Sequence, residues 1–253
     1  MEFFDSHAHY NDEKFDIDRE ELIDNIYKDG ITRIVCAGYN VEQSQYAANL
    51  AKEIHFMYAT CGISPNDIED FVDNNLEKIE EIAKEEKIVA IGEIGLDYYW
   101  NKDNKEKQKE LFIKQIEIAN RLEKPIVIHT RDAWVDTIEI LKKHPVNKKG
   151  VFHCCPLNQE LIKEALKLDF YISFSGNVTF KNAKSEDCIN LVPLDKILIE
   201  TDSPYLSPEP FRGKRNDSRN VKLVAEKIAK TKGLDIENIA KMTYENANRI
   251  FGI

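Results

Sequence analysis

Six side chains suited to holding hydrolytic metal ions are spread along this chain, each where a strand-like run ends. His7 and His9 stand in Asp5-Ser6-His7-Ala8-His9, and Glu93 in Gly92-Glu93-Ile94-Gly95. His129 follows Val127-Ile128, His153 follows Val151-Phe152, and Asp202 lies in Glu200-Thr201-Asp202-Ser203-Pro204. Imidazoles and carboxylates converging from several strand ends suit one or two divalent cations that activate water. The chain has six histidines, and only His55 and His144 fall outside the set. One precedes a strand and the other follows a helix, so both read as structural or surface groups.

The spacing gives each residue a role and a blander alternative. Residues i and i+2 of a strand share a face, so His7 and His9 can offer two imidazoles to one ion. Glu93 is flanked by glycines that allow close backbone approach, and its two oxygens can serve two cations; the alternative is a surface turn. Asp202 can ligate an ion and accept a proton from the attacking water, or simply cap a helix. Glu200 lies two residues before it and can orient its neighbours. Arg131, two after His129, offers a planar fork to a phosphate or carboxylate, or an ion pair to Asp132 or Glu93. Cys154 and Cys155 follow His153, but free cysteine is more often a small buried hydrophobe than a ligand.

Alternating elements must position these groups. Apolar runs of strand length occupy Phe3–Asp5, Ile31–Ala37, Phe56–Cys61, Ile88–Ile91, Pro125–Ile128, Gly150–Phe152, Tyr171–Phe174 and Lys196–Ile199. They are near-continuously apolar, as strands of a parallel sheet covered on both faces are. Helical periodicity marks Asp18–Asp29, Val41–Glu53, Asp73–Glu86, Asn104–Glu123, Ala133–Lys142, Gln159–Lys167, Asn182–Val192, Val221–Lys232 and Ile236–Phe251. In Asn104–Glu123 the stripe is Leu111, Ile113, Ile116, Ile118, Ala119 and Leu122. The repeated strand-then-helix order predicts an α/β protein, a single (β/α)8 TIM barrel with its metal site at the C-terminal strand ends. A doubly wound sheet is the rival, weakened by the lack of a glycine-rich dinucleotide fingerprint. The charged stretches Asp67–Glu86 and Asn101–Glu110 read as solvated helix faces or loops.

Bulk properties agree. At 253 residues the chain matches the usual length of such a barrel, about 250 residues. No composition shift divides it, so residues 1–253 are expected to form one domain. No run approaches the roughly 18 apolar residues of a membrane span, and no signal peptide is evident. The five cysteines are an odd number without a C-x-x-C pair, which suits a reducing compartment. A cytoplasmic protein without membrane contact or an obligate protein partner is expected. The net charge, 35 − 45 = −10, argues against a generic nucleic-acid coat. A nucleic-acid substrate would need local capture by metals and by the basic patch of Arg212, Lys214, Arg215 and Arg219.

In this order, these residues resemble the TatD family of metal-dependent deoxyribonucleases, within the amidohydrolase-like barrels. Further markers are Leu96-Asp97-Tyr98-Tyr99, Gln108…Phe112…Gln115, Pro125 to Ala133, Gly176 to Ala183, Arg212-Gly213-Lys214-Arg215-Asn216 and Asn246 to Gly252. The resemblance covers nearly the whole chain. It implies that His7, His9, Glu93 and Asp202 hold one divalent cation. Glu93, His129 and His153 hold a second, with Glu93 bridging and Asp202 as catalytic base. It also implies hydrolysis of DNA phosphodiesters, often from the 3′ end; for such a substrate the side chains themselves suggest Arg131, Arg212, Lys214 and Arg215 as the groups that hold flanking phosphates. Zinc, manganese or magnesium are the candidate ions, although magnesium normally prefers more oxygen ligands.

Two segments depart from the family pattern. Gly62-Ile63-Ser64-Pro65-Asn66 replaces Gly-Ile-His-Pro-His, and His153-Cys154-Cys155-Pro156-Leu157 replaces His-Cys-Phe-Ser-Gly. Both leave the six ligands in place and alter groups near the substrate. Hydrolysis of another bond on the same metals, as by a D-aminoacyl-tRNA deacylase or an amidohydrolase, is the rival activity. A non-catalytic scaffold is less consistent with the ligand set, since structural zinc sites are usually closed and cysteine-rich.

Overall fold

Eight parallel strands pair in chain order in a computed structural model that describes residues 1–100 and 102–253. They are β1 (Phe3–Ala8), β2 (Ile31–Ala37), β3 (Met57–Cys61), β4 (Ile88–Asp97), β5 (Ile126–Arg131), β6 (Gly150–Phe152), β7 (Tyr171–Phe174) and β8 (Ile197–Ile199). Between them run α1 (Arg19–Lys28), α2 (Val41–Glu53), α3 (Asp73–Ile82), α4 (Lys105–Arg121), α5 (Trp134–Lys143), α6 (Gln159–Lys167) and α7 (Ser185–Leu191). Helices α8 (Val221–Lys232) and α9 (Ile236–Phe251) end the chain. The first residue of the charged stretch Asn101–Glu110 lies outside the described residues. The sheet closes where Ala8 bridges Ser203, with His9 N donating to Ser203 O (2.6 Å) and Asp202 N to His7 O (2.9 Å). This is the expected (β/α)8 barrel.

Both faces of the strands are buried, which explains their continuous apolarity. Outward residues such as Ile34, Ile126, Ile128, Ile172 and Ile197 pack under the helices. Inward, every strand supplies one residue to a layer near its start: Phe4, Val35, Tyr58, Val89, Val127, Val151, Tyr171 and Leu198. Ala247 and Phe251 of α9 join this layer and close the N-terminal end of the barrel. Residues two positions further along a strand point the same way, one level higher. His129, His153 and Glu200 stand two beyond Val127, Val151 and Leu198, and so project into the barrel towards its C-terminal mouth.

Helix boundaries have local causes. The Asn158 side chain accepts from Glu160 N and Leu161 N at the start of α6, and Gly233 ends α8 at φ 67°, a left-handed conformation that glycine adopts without penalty. Helix α4 buries Leu111, Ile116, Ile118 and Ala119 of the expected stripe, and Phe112 as well. Its buried glutamines explain their place among the sequence markers. Gln108 exchanges hydrogen bonds with Asp97 N and O (2.8 and 3.1 Å), and Gln115 does the same with Ile63 N and O (2.7 and 2.9 Å). One helix thus anchors the chain at the C-terminal ends of β3 and β4.

Three strands exceed their apolar runs. β1 continues past Asp5 to Ala8, β4 past Ile91 to Asp97, and β5 past Ile128 to Arg131. Glu93 therefore lies inside β4, not after it. The β4–β5 register shifts between Ile91 and Ile94, as a bulge that re-aims a side chain does. A Cβ on Gly92 would stand 2.5 Å from Val127 Cβ, and one on Gly95 would stand 2.0 Å from His129 O. Only glycine allows β4 to lie this close to β5 on either side of Glu93.

Candidate metal centre

Glu93 is the centre of the site. Its Oε2 lies 3.4 Å from His7 Nε2 and 3.7 Å from His9 Nε2, while its Oε1 lies 2.9 Å from His129 Nδ1 and 3.4 Å from His153 Nε2. One carboxylate thus faces two separate sets of imidazole nitrogens. Asp202 Oδ1 completes the first set, 3.3 Å from His9 Nε2 and 3.8 Å from His7 Nε2. The barrel seam explains this meeting, because the backbone bonds that join β1 to the chain after β8 hold His7, His9 and Asp202 together. In the trios His7–His9–Glu93, Glu93–His129–His153 and His7–His153–Asp202, the donor atoms lie within 4.8 Å of one another.

Three of the four imidazoles meet a polar group behind them, while His7 Nδ1 is buried without a hydrogen-bond partner among the described residues. His9 Nδ1 is 3.2 Å from Ala37 O, and His129 Nε2 is 2.9 Å from Asp97 Oδ2. His153 Nδ1 is 3.4 Å from Glu200 Oε1, which also accepts from Cys154 N (2.6 Å). Glu200 therefore orients a neighbour, as its position suggested. The rings of His7 and His153 stack at 4.0 Å. The backbone is strained at and near the candidate ligands: Asp132, Cys154 and Asp202 have φ values of 54°, 37° and 56°. Such left-handed residues cost of order 1–3 kcal/mol and cluster at functional sites.

Charge in the site is arranged to attract cations. Burial pushes the Glu93 carboxyl up, but the His153 charge and the His129, His153 and His7 hydrogen bonds outweigh it and hold Glu93 well below the usual carboxylate range. Burial also raises Asp202, and its His9 hydrogen bond brings it below that range. Burial lowers His9, His129 and His153, yet the facing carboxylates more than reverse this and raise all three. His7 goes the other way, lowered by burial and by the His153 charge. Two ionised carboxylates thus draw protons onto the surrounding imidazoles. Divalent cations satisfy the same demand by displacing those protons. The mixed nitrogen and oxygen donor set, buried and mutually facing, fits them.

A cavity of about 830 Å³ opens over the cluster, lined by His9, Glu93, His129, His153 and Asp202. Arg131 lines it too, and its guanidinium lies over the Tyr99 ring, 4.0 Å from the centroid. Among the described residues it pairs with neither Asp132 nor Glu93. The other expected substrate contacts stand apart. Arg212 and Lys214 are exposed beside Phe180 and Phe211 but do not line the cavity. Arg215 is committed elsewhere, because its fork closes on Asp18 (2.8 and 2.6 Å) and on Lys14 O. Arg219 likewise closes on Asp217. The cysteines stay outside the donor trios. Cys154 Sγ contacts Ser175 Oγ at 3.3 Å, Cys155 is buried, and all five thiols are free.

Residue type and spacing assign no role to Asp97 or Trp100. Asp97 is part of a sequence motif, and its place two residues beyond Gly95, on the strand that pairs with β5, brings it to His129. Asn66, in one of the departing segments, lines the cavity and donates to Asp97 Oδ2 (3.4 Å). Ser64 caps its own turn by accepting from Asn66 N (3.2 Å).

A parallel barrel with a buried histidine–carboxylate cluster at its C-terminal mouth defines a class, the metal-dependent hydrolases built on (β/α)8 barrels. The model of the TatD related DNase family matches residues 4–252, and the chain belongs to that family. It is 45% identical to the metal-dependent hydrolase YabD of Bacillus subtilis over 99% of both chains. It is 31% identical to the 3'-5' ssDNA/RNA exonuclease TatD of Escherichia fergusonii, again over 99% of both. The crystal structure of YjjV, a TatD homologue from Escherichia coli, superposes with a TM-score of 0.95 at 26% identity, covering 99% of this chain and 98% of that one. The protein is a TatD-family metal-dependent hydrolase. No helix among the described residues is long and apolar enough to cross a membrane.

Proposed function

We propose that the protein is a two-cation phosphodiesterase that trims single-stranded DNA from its 3′ end. The observation that carries this reading is the bridging position of Glu93, one oxygen towards His7 and His9 and the other towards His129 and His153. His7, His9, Glu93 and Asp202 would hold one cation, and Glu93, His129 and His153 the other. Bound there, zinc, manganese or magnesium would neutralise phosphate charge and make water easier to ionise. The name of the Escherichia fergusonii relative supports a single-stranded substrate.

The chain's own groups supply the rest. Asp202, held ionised, accepts the proton of the attacking water. Asp97, Glu200 and the Ala37 carbonyl keep His129, His153 and His9 in their rotamers. Arg131, exposed at the cavity wall, clamps a flanking phosphate through its fork. Arg212 and Lys214 act at longer range, and Arg215 ties its loop to Asp18. The net charge of −10 makes binding weak and salt-sensitive.

Digestion of end-labelled single-stranded DNA by metal-stripped protein tests this reading. Magnesium, manganese, zinc and calcium are each restored, with Glu93→Ala alongside. Cleavage that returns with metal, shortens the 3′ end and vanishes in Glu93→Ala is expected. Inert DNA together with turnover of a D-aminoacyl-tRNA ester would replace this reading with the rival hydrolysis.

A further inference from the structure

We propose that Trp100, with Tyr99 and Arg131 behind it, is a stacking platform for an unpaired nucleobase of the strand whose phosphate occupies the Glu93 cluster. This rests on the phosphodiesterase reading and adds a residue that selects unpaired over paired ends. Trp100 and Arg131 line the same cavity as His9, Glu93, His129, His153 and Asp202. Trp100 is 66% exposed and Tyr99 46%. Trp100 in the cavity wall and Tyr99 beside it, both left in water, form a paired apolar surface, not one stray side chain. Every base has a face that can stack on such a ring, so the contact tolerates any sequence but needs an unstacked base.

The platform is held in place. Asp97 Oδ1 accepts from Tyr99 N and Trp100 N, both at 2.9 Å, while Asp97 Oδ2 faces His129 Nε2 at 2.9 Å. One carboxylate therefore fixes both a candidate ligand and the backbone that carries the aromatics. Tyr99 and Trp100 meet edge to face, with centroids 4.8 Å apart. The Arg131 guanidinium lies 4.0 Å from the Tyr99 centroid and 5.6 Å from that of Trp100. A cation suited to phosphate thus borders a surface suited to a base. Tyr205, across the cavity, is already engaged: Lys14 Nζ sits 4.1 Å from its ring centroid, and its hydroxyl donates to Asp12 at 2.6 Å.

The test measures binding as well as cleavage in the metal-loaded protein. The probe is a short 5′-labelled oligodeoxynucleotide with a non-hydrolysable 3′ linkage, with a second version ending in abasic sugars. By anisotropy, Trp100→Ala should weaken binding of the first about 5- to 100-fold, the range for loss of one base stack. Trp100→Phe should recover most of the affinity. Wild type and Trp100→Ala should bind the abasic strand equally. In a Trp134→Phe background, the base-bearing strand should quench Trp100 emission and the abasic strand should not. Equal affinity of wild type and Trp100→Ala for the base-bearing strand, or an equal loss with the abasic strand, overturns the platform. Cleavage abolished by Glu93→Ala would still stand in that case. A wild-type protein that neither binds nor cleaves any strand overturns both readings.

Discussion

The two ends of the barrel handle polar groups in opposite ways. At the N-terminal end, lysines meet carbonyl oxygens. Lys87 Nζ donates to the carbonyls of Ile54, His55 and Met57 (3.2, 2.9 and 3.1 Å), Lys124 Nζ to that of Ile88, and Lys232 Nζ to that of Val192 (2.7 Å). Phe4 and Phe251 close the space between them, with ring centroids 6.1 Å apart. At the C-terminal end, imidazole nitrogens and carboxylates crowd one another, as where His7 Nε2 lies 3.2 Å from His9 Nε2 and 3.4 Å from Glu93 Oε2. At the first end the chain's own lysines supply the positive charge. At the second, added divalent cations would supply it. Stability and function are segregated along one axis, as is usual for this fold.

The sharpest way to break this comparison is to remove the bridge. Glu93→Gln should reduce turnover to background and lower the number of cations bound in a calorimetric titration. Chelation should do the same to the wild type, reversibly. Full activity in Glu93→Gln would mean that the two imidazole sets work independently. Next in size, Asp97→Asn should cost about 10- to 100-fold in metal affinity or activity, as loss of a group orienting a ligand does. The Asn side-chain oxygen can still accept from Tyr99 N and Trp100 N, so Trp100 emission should stay unchanged. A shift in that emission would show that His129 and the aromatic pair cannot be separated.

Asp5 carries the C-terminal plan into the seam. It accepts from Thr201 N (2.9 Å), Thr201 Oγ1 (2.5 Å) and Ser218 Oγ (2.5 Å), yet its burial is the larger effect and pushes its pKa from 3.8 up to about 7. Between about pH 4 and 7 the folded state then binds a proton that the unfolded chain has released. This group's stabilisation is full below pH 3.8 and is lost as pH rises through 7. From pH 5 to 8, wild type should lose roughly 2–3 kcal/mol more than Asp5→Asn in denaturant titrations. Parallel losses in the two proteins would show that Asp5 is ionised throughout.

The remaining effects are smaller. Lys87→Met should lower folding stability by about 1–2 kcal/mol through its stranded carbonyls, with kcat unchanged. A fall in kcat would breach the separation of the two ends. On the outer helices, Lys142 and Lys167 hold Glu164 at about 2, below its ordinary 4.5. That contribution is present above pH 4.5 and fades as pH falls through about 2. The pair is exposed and screened, so Lys142→Ala should barely move the melting midpoint at neutral pH, and a large shift would give this surface an unexpected part in stability.

Much of this design is legible in the order of residues. A ligand that follows an apolar run lies just above the layer that fills the barrel, so Val127 and Val151 already point to His129 and His153. Glu93 was legible as a candidate ligand but not as part of a strand, because Gly92 and Glu93 interrupt the apolar pattern at the point where β4 bulges. The pairing of Arg215 with Asp18 was hidden because it joins loops nearly two hundred positions apart, and a basic cluster in sequence does not reveal which of its charges are already spent. Asp97 was hidden for a related reason. An Asp before two aromatics reads as a turn, and only the register of β4 against β5 brings its second oxygen to His129.

The closure between Ala8 and Ser203 also bears on how the protein is made. On the ribosome, His7 and His9 emerge well before their partner Asp202, which follows only after most of the barrel has been synthesised. The nascent chain thus carries an unmatched pair of histidines through most of translation. The last contact of the sheet, among the most distant in sequence and so among the slowest to form, is also the one that assembles the first ligand set. A cation held by both His7 and Asp202 would therefore have to bind after both ends of the barrel have been synthesised.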